Sequence, residues 1–160
     1  MTFKHKFSRA AGAAIALLAT LATAHAAAGD DRSMTVFKTP YCGCCELWAD
    51  AMERAGFHIK TVDLEDLSTI KKQAGVSAEM ESCHTAVIDG DRKYVLEGHV
   101  PLEALEKLLT ERPDIRGIAV PGMPVGSLGM GDDPAARYTV YSIGNAAQEK
   151  PSVFFEAGVD

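Results

Sequence analysis

From residue 34 to residue 113 the chain alternates between two hydrophobic rhythms, one of period two and one near 3.6, with Gly or Pro at most changeovers. Met34-Thr35-Val36-Phe37-Lys38-Thr39 favours a strand and stops at Pro40. Beyond a short turn, Leu47, Trp48, Ala51, Met52 and Ala55 recur at three- and four-residue spacing. This predicts a helix with all five on one face and Gly56 as its stop. Ile59, Val62 and Leu64 mark a second strand over residues 58–64, and residues 67–74 predict a short helix ending at Gly75. Residues 85–89 and 93–97 flank Gly90-Asp91-Arg92, the pattern of an antiparallel hairpin. Pro101 then opens a helix striped with Leu102, Leu105, Leu108 and Leu109, and Pro113 stops it.

The order βαβαββα predicts an α/β domain of thioredoxin-like type, a central mixed sheet flanked by helices with a CxxC at the first strand-to-helix junction. Residues 118–131 are too rich in Gly and Pro for a regular helix and carry Met123 and Met130. They predict an added loop. Residues 138–143 and 152–156 predict a closing C-terminal hairpin around Gly144-Asn145.

The start of the chain follows a different pattern. Lys4, Lys6 and Arg9 precede an apolar run over residues 10–22, and Ala24-His25-Ala26 supplies a small-x-small cleavage site. The run is shorter than the roughly 18 to 20 residues that span a bilayer. Residues 1–26 are therefore expected to be a cleaved signal peptide, leaving residues 27–160 as a single periplasmic domain with no membrane span. The whole chain has a formal net charge of −6, and loss of the three basic residues in the leader takes the mature part to −9. An acidic domain without Lys and Arg clusters is a poor partner for nucleic acid or an anionic membrane, and a better one for cations.

Cys42, Cys44 and Cys45 lie within four residues at the start of the first helix, and Cys83 is followed at once by His84. Disulfide staples gain most from closing long loops, so thiols this crowded point to chemistry. Cys42 and Cys45 have redox spacing, while Cys42 and Cys44 have the CxC spacing of soft-metal sites. Thiolates and thioethers together favour Cu(I), and three ligands from one turn would crowd a zinc tetrahedron. Four thiolates exceed what one Cu(I) needs, so more than one ion per chain is expected. In thioredoxin-like domains a cis-proline generally precedes the third strand, and here His84 takes that place, offering an imidazole beside the Cys83 thiol. The plainer roles are a bridge from Cys83 to a turn cysteine and a hydrogen-bonding His84. Met123 and Met130 are either packing residues or thioether caps over the cysteines. His99 lies just before a helix, where capping is the plainer role and ligation the alternative. His58 reads as solvent-facing, and Glu79 and Glu81 as a solvated turn.

Thr39-Pro-Tyr-Cys-Gly-Cys-Cys45, Ser82-Cys-His-Thr85, Glu97-Gly-His-Val-Pro101 and the stretch from Val120 to Met130 resemble the motifs of the CopG-like family of exported bacterial proteins. The resemblance runs from about Met34 to Glu156. It implies a thioredoxin-like fold, an association with copper resistance, and Cys42, Cys44, Cys45 and Cys83 as copper thiolate ligands. The expected function is periplasmic Cu(I) binding, with copper redox activity as an extension and other envelope copper-handling proteins as partners. The rivals are a thiol–disulfide oxidoreductase using Cys42 and Cys45 on protein substrates, and a structural disulfide protein that binds an envelope partner.

Overall fold

The computed structural model describes residues 1–2, 31–146 and 149–158. Apart from its first two residues, the expected signal peptide lies outside them. The elements are β1 (Ser33–Lys38), α1 (Gly43–Arg54), β2 (His58–Asp63), α2 (Ser68–Ala74), a 3-10 turn (Ala78–Met80), β3 (Thr85–Ile88), β4 (Val95–Glu97), α3 (Leu102–Glu111), β5 (Gly117–Ala119), β6 (Tyr138–Ile143) and β7 (Val153–Ala157). The strands form one mixed seven-stranded sheet in the order β2-β1-β3-β4-β5-β6-β7. Its two parallel pairs, β1 with β2 and β4 with β5, are those joined through α1 and α3, because parallel neighbours need a crossover. The remaining pairs are antiparallel.

Helices and sheet share one main core. Met34 and Val36 of β1, Trp48 and Met52 of α1, Leu96 of β4, Leu105 and Leu108 of α3, and Val140 of β6 are buried in it. The strict alternation of β1 buries Lys38 as well, and its ammonium is satisfied by Asp63 at 2.9 Å and Glu46 at 3.2 Å.

The α/β mixed sheet, its flanking helices, a loop through most of the Gly- and Pro-rich stretch and the closing hairpin are present as the sequence predicts. Three details differ. Leu47 is 55% exposed, because the buried face of α1 is centred on Cys45, Trp48, Ala49 and Met52, and at about 100° per residue Leu47 falls outside that arc. β4 is three residues rather than five, the strand beginning at Val95 just after Tyr94, whose hydroxyl donates to Pro113 O at 2.8 Å. The stretch read as loop from residue 118 starts instead as β5, whose three buried residues are too few to show an alternation.

Candidate metal centre

The cysteine turn is built by local backbone geometry. After β1, Cys42 N–H donates to Thr39 O at 3.2 Å and Gly43 N–H to Tyr41 O at 3.1 Å, and α1 begins at Gly43 with Cys42 in the capping position. Cys42 O accepts from Glu46 N–H at 3.2 Å, but no side chain caps the helix. The unsatisfied amides of the first turn thus favour negative charge where the three sulfurs lie. Cys42 and Cys45 form a disulfide with their Cα atoms 5.3 Å apart. Cys44 is free, its Sγ 3.5 Å from that of Cys42.

Facing the turn is the segment that enters β3. Cys83 is also free, so it does not bridge to the turn. Its Sγ lies 2.8 Å from His99 Nε2 and 3.8 Å from His84 Nδ1. His99 Nδ1 is 2.7 Å from Leu128 O, and a carbonyl can only accept, so Nδ1 carries the proton. Nε2 is left with a lone pair toward Cys83, whose S–H donates to it. Burial, reinforced by Cys44, pushes the Cys83 thiol up to about 11. Burial also pulls His84 down to about 3, helped by the neighbouring His99 and Lys71, and lowers His99. Both imidazoles are therefore neutral, the form that binds metal.

His84 directly precedes β3, as expected, with its ring centroid 4.4 Å from that of Trp48. Among the described residues its Nε2 is the buried side-chain nitrogen or oxygen without a hydrogen-bond partner. One sulfur from each of Cys42, Cys44, Cys45 and Cys83 forms a group of candidate ligand atoms within 4.8 Å of one another. Cys83, His84 and His99 form a second group within the same limit, so Cys83 belongs to both. These donors, sulfur with neutral imidazole, fit copper better than they fit hard cations.

The loop over residues 120–131 touches both halves. Gly122 N–H donates to Glu81 O at 3.1 Å, Ser82 Oγ donates to Gly122 O, and Leu128 O holds His99. Gly129 has φ +80°, and a Cβ there would come within 2.7 Å of Cys44 O and 2.9 Å of Trp48 N. Only glycine lets the loop lie this close to α1. Met130 follows it, half-buried, whereas Met123 beside the Gly122 contact is 54% exposed. His58, Glu79 and Glu81 are exposed, in line with their solvated reading.

Two features were not assigned from the sequence. His99, read there chiefly as a capping residue, is the nearest imidazole to Cys83. Behind the same segment, Glu97 is fully buried and forms an ion pair with buried Lys71. Its Oε1 also accepts from Ser82 N–H at 2.7 Å, and Oε2 from Thr85 Oγ1 at 2.6 Å. Burial pushes the Glu97 carboxyl up, against the pull of Lys71 and these hydrogen bonds. The available signal was a carboxylate closing an otherwise apolar strand.

The family described as a protein of unknown function, DUF411, matches residues 80–130. Two solved structures, Form 1 and Form 2 of copper resistance protein CopG, are similar to this chain. They are 40% and 39% identical, each match covers 78% of this chain and 95% or 96% of the other, and the TM-score is 0.68 for both. No curated protein matches.

Proposed function

We propose, since the chain belongs to the CopG-like family, that it is a periplasmic Cu(I)-binding protein of copper resistance, holding copper on clustered thiolates of a thioredoxin-like domain. The observation that carries this reading is the convergence of Cys42, Cys44, Cys45 and Cys83. His84, Met123 and Met130 serve as auxiliary donors, with the loop over residues 120–131 closing the site. Residues 1–26 act as the export signal, and other envelope copper-handling proteins exchange the metal.

The disulfide gives the same site a redox extension. Two Cu(II) ions can each take one electron from the reduced Cys42–Cys45 pair, which loses its two thiol protons to water, forms its S–S bond and yields two Cu(I). Cys44 and Cys83 then remain as thiols to hold the product. Opening the bond again takes two electrons from an external thiol reductant, after which four thiolates are available. The buried S–H of Cys83 must give up its proton on binding, so copper uptake releases protons.

Anaerobic titration of the reduced protein against a Cu(I) chelator tests the reading. More than one Cu(I) per chain is expected, with Cys83→Ser lowering the number and zinc competing poorly. Saturation at one ion, unchanged by Cys83→Ser, would overturn the shared cluster. The Cys42–Cys45 disulfide at a helix start favours a second reading, thiol–disulfide exchange with protein substrates. His84 in place of a proline before β3 counts against it, and fast reduction of a model protein disulfide would support it.

A further inference from the structure

Cys83 lies outside the sheet ladder. Among the described residues neither helix nor strand fixes Ser82-Cys83-His84, and the backbone pairing on the Ser82 side is an isolated bridge to Gly122 in the loop. Yet its thiol must be held beside three sulfurs from another element. The group that grips this segment from inside is the Glu97 carboxylate, which accepts from Ser82 N–H on one side of Cys83-His84 and from Thr85 Oγ1 on the other. Glu97 is the last residue of β4 and pairs directly with Thr85 across the ladder, so its own position is fixed. Gly98 N–H donates to His84 O at 2.9 Å, continuing the grip. The carboxylate is in turn held by Lys71 of α2, which is buried and pairs with Glu97 while also donating to Thr85 Oγ1 at 3.4 Å.

A buried ion pair is a poor way to gain stability, because apolar residues of similar volume often serve as well or better. We propose that Glu97, with Lys71 as its counterion, is a positioning residue for Cys83: it clamps both sides of Cys83-His84 so that the thiol stays within reach of the cysteine turn and of His99. The clamp deepens the copper reading and rests on it for its purpose, though not for its geometry.

The test is the double variant Lys71→Met/Glu97→Leu, which removes the clamp and leaves no buried charge unpaired. Two readouts are taken on protein shown by urea unfolding to be folded. The first is Cu(I) affinity by chelator competition, expected to fall about tenfold, in the range seen when supporting partners of metal ligands are removed. The second needs no copper. With the Cys42–Cys45 disulfide intact, iodoacetamide meets two free thiols, and the rate at Cys83 relative to Cys44 should rise by about fivefold or more as the released segment exposes its thiol. Lys71→Arg keeps the cation and should preserve both values. A folded double variant with wild-type affinity and an unchanged alkylation ratio would overturn the clamp and leave the pair a structural role. If the double variant does not fold, Glu97→Gln is judged on the same two readouts. Absence of Cu(I) binding in the unaltered protein would sink the copper reading, while the alkylation ratio would still decide the clamp.

Discussion

Residues 42–45 and residues 82–85 bring sulfur to one place by opposite means. The cysteine turn is local: a strand ends at Pro40, a helix starts at Gly43, and the first helical turn sets three sulfurs within a few residues. The Cys83 segment is held from a distance, by Glu97 of β4, Lys71 of α2, His99 beyond β4 and Gly122 in the loop. The difference separates what a short motif can specify from what only a folded chain can.

Trp48 joins the two halves, and removing it should give the largest loss. Its ring packs on His84 and its Nε1–H donates to Val100 O at 2.9 Å, all fully buried. Trp48→Ala should cost about 3–5 kcal/mol by urea unfolding, from the cavity and the lost donor together. Equal disturbance of Cys44 and Cys83 alkylation in the residual folded state would show that the halves share this support. Next in size is the turn itself. Cys42→Ser/Cys45→Ser should weaken Cu(I) binding by about a hundredfold, the upper end of what supporting partners alone are worth. Cys83→Ser should cost less affinity but lower the number of ions bound. Equal losses from both variants would erase the distinction between a primary turn and an added fourth ligand.

The same local-versus-distant division decides how much was legible in the sequence. Cys42, Cys44 and Cys45 announce themselves because their spacing is their geometry, and the strands and helices follow from hydrophobic periodicity. His84 could be placed because it sits one residue before a recognisable strand. His99 could not be ranked, since what matters is a lone pair aimed at Cys83 by a carbonyl 29 residues further along. Lys71 and Glu97 lie 26 residues apart on different elements, and no local rhythm pairs them. Leu47 fitted the helical spacing but not the buried arc, because spacing gives a face only to within a residue.

Acid should act on the distant half first. In the folded, metal-free protein burial holds His84 near 3, against 6.5 for the free side chain. Above 6.5 neither state binds the proton and the contribution to stability is complete. Below it the unfolded chain takes up a proton that the folded chain refuses, so stability should fall by up to roughly 1.4 kcal/mol per pH unit until about pH 3. Urea titrations at pH 7.5, 6.5 and 5.5 measure the slope, and His84→Gln should flatten it. An equally steep slope in that variant would move the effect to other groups. Gly129→Ala tests the loop where it meets the turn. A left-handed φ alone should cost about 1–2 kcal/mol, and the added Cβ also presses on Cys44 O. Thermal unfolding gives the loss, and Cys44 alkylation should change more than Cys83 alkylation.

The smallest effect belongs to Leu47. Its place in the three- and four-residue spacing would make it a core residue, worth about 2–5 kcal/mol on truncation to Ala. Its 55% exposure instead puts it on the outer side of α1, where a substitution should change stability by no more than about 0.5 kcal/mol. Leu47→Lys sharpens the contrast, because lysine retains helix propensity while no buried site of this kind would accept its charge without a partner. Unchanged urea unfolding, with Cu(I) affinity within experimental error, would confirm that α1 contributes through Cys45, Trp48 and Met52 and that the face carrying Leu47 supports neither the core nor the metal centre. A loss of several kcal/mol would place Leu47 in the core after all and shift the helix phase that aims Cys44 and Cys45.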